Sequence, residues 1–276
     1  MKYVLCRPQG GFNDMLTQIH KCIIYCRQHR RTLLLDTSRS LYKFNFSEYF
    51  DLYAPINNIT DTTEINKIIS NYKLIVIPKH VRGRLLTYQA VYSNKCKNFV
   101  DTDKHKQLTF SFRDTYFDDI LLHDQCGGGD GSIVFKMLKF KSPILDDFKQ
   151  KYDKLPKPYV AIQVRNTDYK CDYQQLYEDN KSDIKTKNIY LATDDKQCIE
   201  YFKQLGLKIY NFTTFPDDNN YANLHDSNVD NSIKLKDMIS DLLIMAFADK
   251  LISNSQGGYI KLAKFANVNK QDLNVV

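Results

Sequence analysis

Tyr159-Val-Ala-Ile-Gln-Val-Arg-Asn-Thr-Asp-Tyr169 is the stretch that decides the reading of this chain. The β-prone run from Tyr159 to Val164 carries straight into a charged turn that holds Arg165 and Asp168. In α/β proteins ligands bind at strand ends, because a rigid sheet there presents short loops to a crevice. An arginine at such a point offers a planar, permanently charged fork of donors suited to phosphate oxygens. The same strand-then-polar-turn form recurs at Ile189–Asp195 and at Leu251–Gly258. Three such ends in one half of the chain predict a parallel sheet and a single pocket for an anionic ligand.

Outward from this stretch, Asp153-Lys-Leu-Pro-Lys-Pro158 has two prolines and alternating charge and marks a domain boundary. Beyond it the pattern predicts strands at 159–164, 188–192, 207–210 and 250–253, with helices at 195–205, 236–248 and 257–266. Residues 211–232, rich in Asp and Asn, read as a long polar loop. Toward the N-terminus, a strand at Tyr3–Cys6 leads through Gln9-Gly-Gly-Phe-Asn13 into a helix over 14–29. Met15, Leu16, Ile19, Cys22, Ile23 and Cys26 form its apolar stripe. A short buried strand, Thr32–Leu35, closes this βαβ unit. The middle is less regular: a strand at 72–78, and loop with a short helix over the aromatic-rich 42–50. Gln125-Cys-Gly-Gly-Gly-Asp-Gly131 lacks the lysine and hydroxyl of a phosphate-binding P-loop and reads as a flexible turn ahead of a helix. The expected architecture is α/β with two domains, residues 1–154 and 155–276.

Composition narrows the function classes. With 43% hydrophobic and 26% charged residues, the chain is globular rather than disordered. No solenoid repeat is visible, and no apolar run approaches the ~20 residues that span a bilayer. A net charge of +7 suits acidic partners such as nucleotides, nucleic acid or an anionic membrane surface, or is simply a mildly basic surface. Tyr and Lys interleave widely, but without a localised basic run or an RNA-binding signature, so nucleic acid is not expected. The seven cysteines include no CxxC pair and no zinc spacing; Cys22 and Cys26, four apart on the first helix, read as core thiols. A strand-like N-terminus without a signal peptide predicts a reduced, cytoplasmic setting.

The chemistry-bearing residues follow from these placements. Gly10 and Gly11, with Asn13, sit where the first strand turns into the first helix, where backbone can approach a ligand and a helix N-terminus favours an anion. The segment is not a GxGxxG fingerprint, and Gly-Gly also serves turn geometry alone. Arg165 and Asp168 could form a phosphate-binding pair or a plain surface ion pair. Asp194 and Asp195 could bind a metal, accept hydrogen bonds from a base or sugar, or cap the next helix. Ser253–Gly258 opens a helix on small polar residues and forms a good phosphate cradle. The histidines are scattered and suggest no catalytic arrangement.

Taken in order, these segments resemble the fucosyltransferase superfamily of α1,2-, α1,6- and protein O-fucosyltransferases and their bacterial relatives. Gly10-Gly-Phe-Asn13 is similar to the family's N-terminal glycine-asparagine loop, and Gln163-Val-Arg-Asn-Thr-Asp168 to its His-x-Arg-Arg-x-Asp motif. Tyr190-Leu-Ala-Thr-Asp-Asp195 resembles its Ala-Thr-Asp-Asp segment, and Asp241–Gly258 its last donor-binding segment. The resemblance implies a GT-B-like enzyme of two Rossmann-like domains, with acceptor side and glycine loop in the first and GDP-fucose held mainly by the second. It implies inverting, metal-independent transfer with no cofactor beyond the GDP-sugar; the expected acceptor is a glycan or lipid-linked hydroxyl, and the basic surface then serves that acceptor by peripheral membrane contact, or merely the donor. Arg165 then stabilises the departing diphosphate. Asp194 or Asp195 contacts the guanine edge, Ser255 and Gln256 the phosphates, and Gly10, Gly11, Asn13 and Asp168 complete the donor set. The motif's histidine is Gln163 here and its second arginine is Asn166, which predicts a weaker phosphate clamp. The glutamate that some relatives carry in the glycine loop is Gly10 here, so Asp14 is the candidate general base. A non-catalytic relative that only binds nucleotide or glycan, or a transferase using another nucleotide sugar, remains the alternative.

Overall fold

A computed structural model describes residues 1–167, 169–185, 187–217, 221, 223–224 and 226–273. The chain divides into two compact units, Met1–Lys141 and Ser142–Val276.

The first unit is built on β1 (Tyr3–Pro8), α1 (Phe12–His29), β2 (Thr32–Leu35), β3 (Asn58–Ile59), α2 (Thr62–Ile69), β4 (Val76–Ile77) and β5 (Ile120–Gln125). These strands form one sheet in the order β3-β2-β1-β5-β4, with every neighbouring pair parallel. Val4, Leu5 and Cys6 are fully buried, as a central parallel strand covered on both faces requires. The apolar stripe of α1 is buried as its spacing predicted, Cys22 and Cys26 included. Burial pushes the Cys26 thiol up to about 12, which makes it an inert core group.

Two expectations for this unit change. The strand at 72–78 shrinks to Val76–Ile77. The partner of β1 on its other side is β5, Ile120-Leu-Leu-His-Asp-Gln125, whose three polar residues hide it from a hydrophobic reading. All six of its residues are buried, which works because each polar side chain is hydrogen-bonded. The glycine-dense turn does lead into a short helix, Ser132–Lys136, and the 42–50 segment does hold one, Phe46–Tyr49.

The second unit comprises α3 (Ser142–Tyr152), β6 (Tyr159–Val164), α4 (Tyr173–Ile184), β7 (Asn188–Thr193), α5 (Lys196–Gln204), β8 (Lys208–Tyr210), α6 (Asn231–Phe247), β9 (Lys250–Ile252) and α7 (Gly258–Val268). Its sheet is parallel in the order β8-β7-β6-β9. Val160, Ile162, Val164, Ile189, Leu191 and Ile252 face Leu176, Ile184 and Phe202 in one of its cores. The helix expected at 236–248 begins earlier, at Asn231, because the Asp230 carboxylate accepts from the N–H groups of Ser232 and Ile233. The predicted 211–232 loop is shortened accordingly.

The division falls at Lys141/Ser142 rather than at 154/155. Helix α3, which precedes the two prolines, packs within the second unit. The Phe148 ring lies 5.9 Å from that of Phe247, the Ser240 hydroxyl donates to Asp147 at 2.6 Å, and Lys151 bridges Asp147 and Asp237. Among the described residues no helix is long and apolar enough to cross a membrane.

Candidate functional site

The sheet order of the second unit reverses between β6 and β9, and in open α/β sheets the crevice outside the strand ends at such a point takes the ligand. Arg165 leaves β6 there and Ser253-Asn-Ser-Gln-Gly257 leaves β9. The β9 loop is shaped by its own hydroxyls. Ser255 N–H donates to Ser253 Oγ at 3.1 Å, and Gly257 N–H donates to Ser255 Oγ at 3.2 Å. The Ser253 hydroxyl donates to Gln163 Oε1 at 2.7 Å, tying β9 to β6. Gln163, in the place of the motif's histidine, thus aligns the two strand ends.

Gly257 is the uncapped N-terminus of α7, whose first i→i−4 bond runs from Lys261 N–H to Gly257 O at 3.3 Å. The earlier N–H groups of the helix have no intrahelical acceptor, and with the helix dipole they favour an anion. A Cβ placed on Gly257 would stand 3.8 Å from Arg165 Nη1 and 3.4 Å from Ser255 Oγ. The guanidinium therefore lies beside Gly257 at the start of α7. Ser255 is buried and Gln256 exposed on this loop.

Asp194 and Asp195 end β7 beside the Arg165 turn. Asp195 caps α5 by accepting from Gln197 N–H at 2.8 Å, and its other oxygen accepts from Asn166 Nδ2 at 2.6 Å. Asp194 accepts from Asn166 N–H at 2.7 Å and from the Thr167 hydroxyl at 2.6 Å. All four carboxylate oxygens are engaged, one of them in the capping role that the sequence also allowed. Asp168 lies outside the described residues. The second unit thus brings together Arg165, Asp194, Asp195, Ser255 and Gln256.

Gly10, Gly11, Asn13 and Asp14 belong to the first unit, at its own reversal of strand order between β1 and β5. Gly10 has φ of +89°, and a side chain there would meet the Asp14 carboxylate at 3.1 Å. The glycine-dense 125–131 segment folds against this turn. Asn13 Nδ2 donates to Gly129 O at 3.1 Å, and Gly131 N–H donates to Asn13 Oδ1 at 3.2 Å. Asn13 is buried and serves the loop directly. Gly128 lies along the Asp14 carboxylate, its Cβ position 3.3 Å from Oδ1.

A second charged cluster sits below, unread in the sequence. Arg7 is 1% exposed and binds Asp36 at 2.7 Å, Tyr88 Oη at 2.9 Å and Leu85 O at 2.8 Å. Tyr88 in turn donates to Asp124 at 2.6 Å, and Gln9 Nε2 donates to the other Asp124 oxygen at 2.9 Å. Burial raises Asp124, against these bonds and Arg7. Burial also opposes the Asp36 charge, but Arg7 and Ser38 hold its carboxyl below the ordinary range. Arg7 and Asp36 end apolar strands much as Arg165 does; burial is what keeps them structural. Among the described residues no three His, Cys, Asp or Glu side chains are grouped closely enough to hold a metal ion.

Comparison with solved structures places this fold. The fucosyltransferase NodZ from Bradyrhizobium matches at a TM-score of 0.64 and 16% identity, over 95% of this chain and 92% of its own. NodZ α-1,6-fucosyltransferase soaked with GDP-fucose matches at 0.63 and 17% identity, over 96% and 92% of the two chains. POFUT1 in complex with GDP-fucose matches at 0.54 and 14% identity, over 96% and 93%. No protein-family model and no curated protein matches the sequence. At this identity the likeness establishes the fold, which is GT-B-like as the sequence resemblance implied.

Proposed function

We propose that this chain is a fucosyltransferase-like glycosyltransferase that moves L-fucose from GDP-fucose to a hydroxyl of a glycan or lipid-linked acceptor. The observation that carries the reading is Arg165 beside Gly257, the uncapped N-terminus of α7, at the strand-order reversal of the second unit. The fold it shares with fucosyltransferases supports the sugar nucleotide as ligand.

In this reading the diphosphate of the donor takes the Arg165 fork, the first N–H groups of α7 and the loop of Ser255 and Gln256. As the bond from the anomeric carbon to the diphosphate breaks, negative charge grows on the leaving oxygen. Fixed donors aimed at that oxygen stabilise the transition state more than the ground state, and so supply what a divalent metal supplies elsewhere. The transfer is direct and inverting, with the acceptor hydroxyl attacking as GDP leaves. Asp194 and Asp195 keep second lone pairs for N–H groups of the base. In the first unit, Asp14 is the proposed general base, and Gly10, Gly11 and Asn13 of the glycine turn belong to the proposed donor set. The proposed setting is cytoplasmic glycan assembly at a membrane face, which the net charge of +7 favours.

The test is calorimetric titration with GDP, UDP and GDP-fucose, each with EDTA present. Selective binding of GDP and GDP-fucose is expected. Selective binding of UDP would discard fucose, and no binding of any nucleotide would discard the enzyme.

A further inference from the structure

Asn166 stands where the resembling motif carries its second arginine, and its side chain reaches to the end of β7. Its Nδ2 donates to Asp195 at 2.6 Å, and its Oδ1 accepts from Cys171 N–H at 3.3 Å. Its backbone N–H and the Thr167 hydroxyl occupy the two oxygens of Asp194. Asp195 is itself immobilised as the cap of α5. On the other side of Arg165, Gln163 is tied to Ser253. Arg165 therefore rises between two cross-strand links, one to β9 through residue 163 and one to the end of β7 through residue 166.

We infer that Asn166 is a positioning residue for Arg165: it fixes the turn from which the guanidinium reaches the departing phosphate. The inference rests on the donor-site reading given above. An amide suits the place because it donates and accepts at once, whereas an arginine side chain only donates and would leave Cys171 N–H without its acceptor. A long, flexible arginine side chain must be held within a fraction of an ångström to act on a transition state, and that precision comes from its supporting shell. The loss of a second arginine is thus the gain of a rigid mount for the first.

The experiment compares wild type, Asn166→Ala, Asn166→Asp and Arg165→Ala for GDP affinity and for kcat and KM of GDP-fucose cleavage with water as acceptor, between pH 5.5 and 8.5, with circular dichroism confirming the fold. Asn166→Ala should lower kcat roughly 10- to 100-fold, the scale set by small misplacements of a catalytic group, and change KM far less. Asn166→Asp sets a third carboxylate against Asp195 at neutral pH and should fall at least as far. As pH drops that carboxyl protonates and can donate to Asp195 as the amide does, so this variant should recover relative to wild type while Asn166→Ala does not. Unchanged kcat in Asn166→Ala beside an inactive Arg165→Ala would overturn the positioning role and keep the donor site. Full activity in Arg165→Ala would overturn the donor site and the inference with it.

Discussion

Asn13 and Gly131 are 118 positions apart, yet the side-chain oxygen of the first accepts the N–H of the second at 3.2 Å. With the companion bond from Nδ2 to Gly129 O, one amide holds the glycine-dense loop against the start of α1. The two glycine segments, separate in sequence, are one construction.

Replacing Asn13 by Ala removes both bonds and strands the N–H of Gly131, which is buried, while the exposed Gly129 turns to water. The expected loss is about 1–3 kcal/mol of stability in the first unit. Denaturant unfolding measures it, and a midpoint equal to wild type would show the clamp to be idle.

Glycine substitutions separate structure from ligand contact. A Cβ at Gly131 would fall 2.9 Å from Asn13 Oδ1 and 3.0 Å from Asn13 O, so Gly131→Ala should destabilise the unit by about 1–3 kcal/mol. At Gly11 nothing lies within 4 Å of the Cβ position, and the backbone there, φ −68° and ψ 169°, suits any residue. Gly11→Ala should therefore leave stability within about 0.5 kcal/mol. If the turn approaches substrate, transfer falls in that stable variant. Full transfer would place the substrate elsewhere.

Arg165→Ala removes the cation beside the start of α7 without opening the core, since Arg165 is only half-buried. Transfer should drop roughly 10²- to 10³-fold, and GDP binding should weaken. Titration and initial rates on the purified variant give both numbers, and unaltered GDP affinity would remove Arg165 from the phosphate site.

Asp241 makes the second unit sensitive to pH. Burial pushes its carboxyl up to about 7, against hydrogen bonds from Tyr190 and Thr213 and with Asp237 adding to the rise. A folded-state value above the unfolded one favours the protonated form. This contribution to stability is complete below about pH 4 and is lost as pH rises through about 7. Wild type should lose denaturant resistance between about pH 4 and 7 through this group, and Asp241→Asn should lose less over the same window. Parallel curves for the two proteins would show that Asp241 does not titrate there.

Part of the site was legible because its signals are local. The runs ending at Arg165, Asp195 and Ser253 combine a buried parallel strand with a polar exit, and both features lie within ten residues or so of each other. Arg7 shows the weakness of that signal. It follows Val4, Leu5 and Cys6 as Arg165 follows Ala161, Ile162 and Val164, yet it is sealed under Tyr88 and Leu85. Local pattern cannot tell a buried arginine from a ligand-facing one, because the residues that cover Arg7 come from 78 and 81 positions away. Strand β5 was missed for a related reason. His123, Asp124 and Gln125 look like surface residues until Gln18, Tyr88 and the backbone of Phe99 satisfy them. His123 is so enclosed that burial brings its ring down to about 3 and keeps it neutral.

The sequence by itself determined the α/β class, the parallel strands at Tyr3, Thr32, Tyr159 and Asn188, and the arginine at the strand end, since hydrophobic period and turn chemistry are encoded in neighbours. Only the tertiary structure decided which polar residues are partners. It joined Asn13 to the 125–131 loop, Gln163 to Ser253 and Asn166 to Asp195, and it assigned α3 to the second unit. Those choices depend on bringing distant segments within about 3 Å, the range in which a hydrogen bond exists at all.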